Sequence, residues 1–252
     1  MLVGAALNYF DTNDKLQYTN QNVMLSCFDI NNLPKFDDQY SEWAAQNNIK
    51  VISMHLPNKA IFPDCVKLAT SLIDKSITEK LLIIHPPFKN YPVNNIELKI
   101  MHSTLEDYNA YLCWENFPWK REKWLRSPYE IAELCAKYDR FKLTFDTSHI
   151  DNADYWLNLE TMRYLRKFIK VIHLSNRTFS KKRDKIGEIQ QYRNEDDYGC
   201  HLPVAKGDLR LEPFIKTLVY QLHWDGQIII EMMPCYDLQV KKQIEIVTQW
   251  IS

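Results

Sequence analysis

Short apolar runs, rich in β-branched residues, alternate along the chain with longer stretches of helical period. The clearest runs are VISMH (51–55), LLIIH (81–85), YLCWE (111–115), LTFD (143–146), KVIH (170–173) and IIIE (228–231). Most are continuous rather than alternating, as expected of parallel strands buried on both faces. They predict strands near Leu2–Ala6, Val23–Phe28, Lys50–His55, Leu81–His85, Tyr111–Glu115, Lys142–Asp146, Lys170–His173 and Gln227–Glu231. Between them lie apolar stripes of helical spacing: Leu211, Phe214, Ile215, Leu218, Val219 and Leu222, then Val240, Ile244, Val247 and Ile251. Ser127-Pro128-Tyr129-Glu130 forms a capping box with Pro at the first helical position. Strands alternating with helices give an α/β fold. A closed (β/α)8 TIM barrel is the favoured form, and a doubly wound open sheet is the alternative.

The polar residues that end these runs carry the chemistry. His55, His85, Glu115, Asp146 and His173 follow one another at gaps of 30, 30, 31 and 27 residues, close to the length of one βα unit. In a barrel, strand after strand then delivers a metal-ligand type of side chain to one mouth, the face where barrel residues read as catalytic. Glu115, Asp146, His173 and Glu231 would repel one another or stay unsatisfied there without a counter-ion. Three carboxylates and an imidazole suit a divalent metal: Zn, Mn, Mg or Co. His55, His85, His149 and His201 form an outer set. They bind further metal, hydrogen-bond a polyol substrate, or orient the inner ligands. Asn116, Ser175, Asn176 and Arg177 flank the ligands; Arg177 suits a phosphate or an enediolate oxygen, or is a solvated loop residue. Trp114, Phe117, Trp119 and Trp124 crowd the strand 5 exit, either to stack on a substrate ring or to pack the core or a lid. No function falls to His102 or His223.

Length and composition narrow the picture further. At 252 residues the chain matches one barrel domain spanning 1–252. A net charge of −1 gives no global attraction to nucleic acid. The basic residues Lys181, Lys182, Arg183 and Lys185 are followed closely by acidic Glu195, Asp196 and Asp197. They lie in a long polar connection, Ser175–Asp208, read as functional, mobile or simply solvated. Six scattered cysteines form no CxxC pair. With no signal-peptide pattern and no apolar run of membrane length, a cytoplasmic protein with reduced thiols is expected. Five glycines, without GxGxxG or a Walker loop, argue against nucleotide binding by those routes.

The segments VISMHLP, LLIIHPP, WENFP, FDTSH, VIHLSN, HLPVAKGDL and IIIEMMP, in this order, resemble the xylose-isomerase-like TIM-barrel superfamily, which holds sugar isomerases and epimerases and also endonuclease IV. The resemblance implies that Glu115, Asp146, His173 and Glu231 bind one shared metal. In the epimerase branch it implies that Glu115 and Glu231 transfer the proton, with His149 and Arg177 at the substrate. In the endonuclease IV branch, which uses three zinc ions, it implies that His55 and His85 join Glu115 at a first site. Glu115, Asp146, His173 and Glu231 form a second, and His149 and His201 belong to a third. That branch carries an Asp two residues before the last His, where this chain has Gly199, so the third site needs Asp196 or Asp197. WENFPWK and FDTSHIDNADY also replace the glycine-containing segments of that branch.

The first expectation is therefore a metal-dependent isomerase or epimerase of a sugar or sugar phosphate, working by carboxylate acid/base chemistry through a metal-stabilised enediolate. The alternative is an endonuclease IV-like phosphodiesterase acting on abasic DNA, the only case in which DNA is a partner. A non-catalytic ligand-binding barrel ranks third.

Overall fold

The computed structural model describes residues 1–8, 15–27, 38–57, 63–90, 93–117, 123–125, 127–179 and 199–252. Eight parallel strands close on themselves in sequence order: β1 Leu2–Leu7, β2 Asn22–Ser26, β3 Lys50–Leu56, β4 Lys80–Ile84, β5 Ala110–Glu115, β6 Phe141–Asp146, β7 Ile169–Leu174 and β8 Gln227–Ile230. The barrel closes where β1 pairs with β8, with Leu2 opposite Gln227 and Ala5 opposite Ile230. The (β/α)8 barrel is therefore the fold, and the open-sheet alternative is excluded. The apolar runs are the strands: Val23, Met24, Leu25, Ile52, Met54, Leu82, Ile83, Ile84, Ile228 and Ile229 are all fully buried. Gln227 reaches across the interior to donate from Nε2 to the Ile52 carbonyl at 3.1 Å, so a buried amide nitrogen finds a partner inside the barrel.

Around the sheet run helices α1 Asp38–Gln46, α2 Pro63–Leu72, α3 Asn95–Asp107, α4 Pro128–Lys137, α5 Ala153–Trp156, α6 Leu159–Leu165, α7 Leu211–Lys216 and α8 Val240–Trp250. The capping box forms as expected at the start of α4: the Ser127 side chain accepts from Glu130 N, and the Glu130 carboxylate accepts from Ser127 N. Asn94 and Glu97 make a second box at α3. The stripe from Leu211 to Leu222 departs from a plain helix. α7 gives way to a π-helical segment over Thr217–Gln221, and Leu222 N donates to Thr217 O five residues back, at 3.0 Å. Leu218 and Leu222 stay buried through this wider turn.

Two strand ends sit one residue earlier than the sequence pattern suggests. β4 stops at Ile84 and β8 at Ile230, so His85 and Glu231 stand just beyond the last strand residue. Phe28, Trp119, the basic residues 181–185 and the acidic residues 195–197 lie outside the described residues.

The described ends of the Ser175–Asp208 connection are not simply solvated. Asn176 and Leu202 exchange both backbone hydrogen bonds, at 2.8 and 2.9 Å, and Thr178 N donates to Gly199 O at 2.9 Å. Buried Asn176 then donates to the carbonyls of Val204 and Leu209 and accepts from Leu209 N. Gly207, at φ +147°, packs against this amide; an added Cβ would collide with Asn176 Oδ1 and lie 2.6 Å from Arg177 O. Gly207→Ala is expected to lower stability by about 1–3 kcal/mol, measurable as a drop in melting temperature. An unchanged value would show that the segment yields freely.

Candidate metal centre

Each ligand-type residue arrives at the C-terminal mouth because the strand period is two: with Glu115 inward, Cys113 and Tyr111 share its face of β5. Asp146 and His173 are cross-strand partners in the register of β6 and β7. Glu115, Asp146 and His173 are fully buried or nearly so, whereas the Glu231 side chain keeps 17% of its surface. His173 Nδ1 lies 2.7 Å from Glu231 Oε2, 3.2 Å from Glu115 Oε2 and 4.0 Å from Asp146 Oδ2. An ion bound at about 2.0–2.2 Å from each donor holds those donors roughly 3.0–3.6 Å apart, a spacing these distances bracket.

The directions of these atoms matter as much as their separations. Glu115 Oε1, Asp146 Oδ2, both His173 ring nitrogens and Glu231 Oε2 are buried and make no hydrogen bond of acceptable geometry. Buried polar atoms without hydrogen bonds cost free energy, and one ligand atom from each of these four side chains lies within 4.8 Å of the others. Asp146 shows the selectivity of the arrangement. Its Oδ1 accepts from Ser148 N at 2.6 Å, Ser148 Oγ at 2.9 Å and His149 N at 3.2 Å, leaving only Oδ2 for the centre. The residues present therefore fit a divalent cation, with Asp146 offering one oxygen.

The outer histidines gather at the same place. His55 Nε2 and His85 Nε2 lie 3.3 and 3.5 Å from Glu115 Oε2. His149 Nδ1 lies 2.8 Å from Glu115 Oε1, and its Nε2 lies 3.1 Å from His201 Nε2. His201 adopts φ +54°, a left-handed conformation unusual for a residue with a β-carbon and one that clusters at functional sites. Three ligand groups result, each with its donor atoms within 4.8 Å: His55–His85–Glu115, Glu115–Asp146–His173–Glu231 and Asp146–His149–His201. Glu115 links the first two and Asp146 the last two. Asp196 and Asp197, the residues expected to complete the third group in place of the Asp missing at Gly199, lie outside the described residues.

The charges are mutually sustaining. Burial by itself would raise the Glu115 carboxyl, but His85, His173 and the close His149 contact hold it well below the usual range. Burial opposes ionisation of Glu231 too, yet His173 and then His201 bring its pKa down to about 2. Burial works against a charged His173, and the facing carboxylates of Glu231 and Glu115 overcome it, raising that imidazole well above its ordinary value. His85 goes the other way, lowered chiefly by burial.

Other expectations resolve differently. Arg177 does not point its bonded guanidinium nitrogen at the cluster; Nη1 donates to the carbonyls of Ser148 at 2.9 Å and Ile150 at 2.5 Å. Trp114 is core, fully buried and edge-on to Trp124 and Phe141. Phe117 alone of the described aromatics at that exit touches the cluster, with its ring 4.8 Å from His85 and 4.0 Å from His149. His102 is paired with Asp139 at 2.7 Å on the outer surface. Sequence reasoning missed Ser148, Thr147 and Lys123. Asp-x-Ser after a strand is an Asx-turn signal, so Ser148 was findable. Thr147 Oγ1 donates to Ser175 O at 2.7 Å and ties the β6 exit to the β7 exit. Buried Lys123, 5.5 Å from the Phe117 ring, left no pattern along the chain.

Comparison with known proteins agrees with the barrel fold. No curated protein sequence matches the chain. Among solved structures, a D-tagatose 3-epimerase-like protein superposes with a TM-score of 0.65 at 17% identity, each chain covered over 100% of its length. The IOLI protein with a binding zinc atom gives 0.62 at 11% identity, covering 99% of this chain and 96% of its own. D-psicose 3-epimerase with D-tagatose, from Clostridium cellulolyticum H10, gives 0.57 at 13%, covering 98% and 92%. At such identities the likeness is one of fold. The family model of the xylose isomerase-like TIM barrel matches residues 97–250, more than half of the chain and the stretch that supplies Glu115, Asp146, His173 and Glu231. The chain therefore belongs to the xylose isomerase-like TIM-barrel family.

Proposed function

We propose that the protein is a divalent-metal-dependent isomerase or epimerase acting on a sugar, sugar phosphate or related polyol. The observation that carries this reading is the gathering of buried ligand atoms from Glu115, Asp146, His173 and Glu231 within 4.8 Å of one another at the barrel mouth. Structural neighbours described as a D-psicose 3-epimerase with D-tagatose and a D-allulose 3-epimerase with D-allulose support the substrate class. Bound there, a Zn, Mn, Mg or Co ion would polarise two adjacent substrate oxygens and offset the charge that develops on them.

The chain's own residues do the rest. Glu231, ionised and at the solvent edge of the cluster, removes the proton from the carbon beside the carbonyl. Glu115 returns a proton to that carbon, with His149 Nδ1, 2.8 Å from its Oε1, placed to relay one. Phe117 and the buried strand ends keep bulk water from the carbon that has lost its proton.

A second reading is a metal-dependent phosphodiesterase acting on abasic DNA. It is favoured by one specific observation, the two further ligand groups built on His55, His85, His149 and His201. The two readings separate on metal count. Elemental analysis of purified protein is expected to find one divalent ion per chain. Two or three ions, with chelator-sensitive cleavage of abasic DNA, would replace the sugar reading with the hydrolytic one.

A further inference from the structure

We propose that Asn116 and Arg177 are positioning residues that set the ligand geometry of the β6 exit, gripping the Asp146–Ile150 turn from its two neighbouring strands. The inference rests on the metal-centre reading above. Asn116, fully buried just past β5, uses its side chain as a strand would use its backbone. Its Oδ1 accepts from Asp146 N at 2.8 Å, and its Nδ2 donates to Asp146 O at 3.1 Å. The β5–β6 ladder ends at Glu115 opposite Thr144, so this amide extends it to the ligand itself. From the other side Arg177, just past β7, donates Nη1 to Ser148 O and Ile150 O. Its guanidinium carbon lies over the Phe179 ring, 4.8 Å from the ring centre.

The five residues between these grips contain Asp146 and His149, two members of the ligand groups. Asp146 exposes only Oδ2 to the centre because the turn delivers Ser148 N, Ser148 Oγ and His149 N to its Oδ1. A turn free to move would lose that division of the carboxylate and the 2.8 Å approach of His149 to Glu115 together. Outer residues that orient ligands typically change metal affinity 10–100-fold when replaced. Arg177 thus acts on the centre through the backbone of the turn.

The test compares Arg177→Met, Arg177→Lys and Asn116→Asp with Arg166→Met. Arg166 makes the same kind of bond, Nη1 to the Leu222 carbonyl at 2.8 Å, far from the mouth. Zinc affinity is measured by competition with a chromogenic chelator, and stability by melting temperature. Arg177→Met and Asn116→Asp are expected to weaken zinc about 10–100-fold, Arg177→Lys to recover part of the loss, and Arg166→Met to lower the melting temperature alone. If Arg177→Met and Asn116→Asp bind zinc like wild type, the proposal is overturned. If wild type itself binds no divalent ion, the metal reading fails, and the His149 ring resonances of the protein decide the positioning role separately. They shift in Arg177→Met and not in Arg166→Met if the grip sets that imidazole; equal spectra would end the idea.

Discussion

Glu231→Gln is expected to lower turnover by about 10²–10⁴-fold, the usual worth of a positioned general acid or base, while the barrel stays folded. The substitution is nearly isosteric and keeps an oxygen for the centre. It removes the ability to accept a proton, which Glu231 is suited to do. Its pKa of about 2, lowered against burial by His173, keeps it ionised, and its side chain is the least buried of the four candidate ligands. D-tagatose and D-psicose are the probes to use, with product followed by chromatography and proton exchange followed in deuterated water. Loss of both signals with zinc still bound would place Glu231 in the proton transfer. Undiminished turnover would remove it from that role, and with it the acid/base pair proposed here.

Stripping the metal is the second large effect. At free metal a thousandfold above its dissociation constant, binding adds about 4 kcal/mol to stability, or roughly 8–16 °C at 2–4 °C per kcal/mol for a chain of this size. Chelator is therefore expected to lower the melting temperature by that order and abolish turnover, both restored by zinc or manganese. The metal-free protein carries its own pH signature. Glu231, depressed from 4.5 to about 2, contributes stability that is present above 4.5 and lost as pH falls through about 2. His173, raised above 6.5, contributes stability present below 6.5 and lost as pH rises through its raised value. Metal and proton compete for His173, so metal uptake releases a proton and weakens as the solution is acidified. Calorimetry in buffers of different ionisation enthalpy measures that proton. A melting temperature indifferent to chelator across this pH range would argue that the cluster holds no metal.

Most of the architecture was legible along the chain because barrel strands buried on both faces write themselves as unbroken apolar runs. The 30-residue rhythm counted the βα units, and the polar residue closing each run marked the mouth. Ser127 and Glu130 fixed a helix start by local chemistry alone. The π-helical turn at Thr217–Gln221 was not legible, since its apolar spacing fits an ordinary helix equally well.

Within the site, the residue types of the Glu115–Asp146–His173–Glu231 cluster could be read from the sequence, because strand period and strand end determine which side chains enter the mouth. The sequence also named the outer histidines. Tertiary structure decided how they join: Glu115 shared with His55 and His85, Asp146 shared with His149 and His201, Phe117 against both sets, and Arg177 turned to the carbonyls of the β6 exit. Those relations depend on distances across strands that lie 30 to 180 residues apart and on backbone angles such as that of His201. A linear pattern carries the order and type of the ligand-type residues, whereas the direction of each lone pair is set only when the barrel closes.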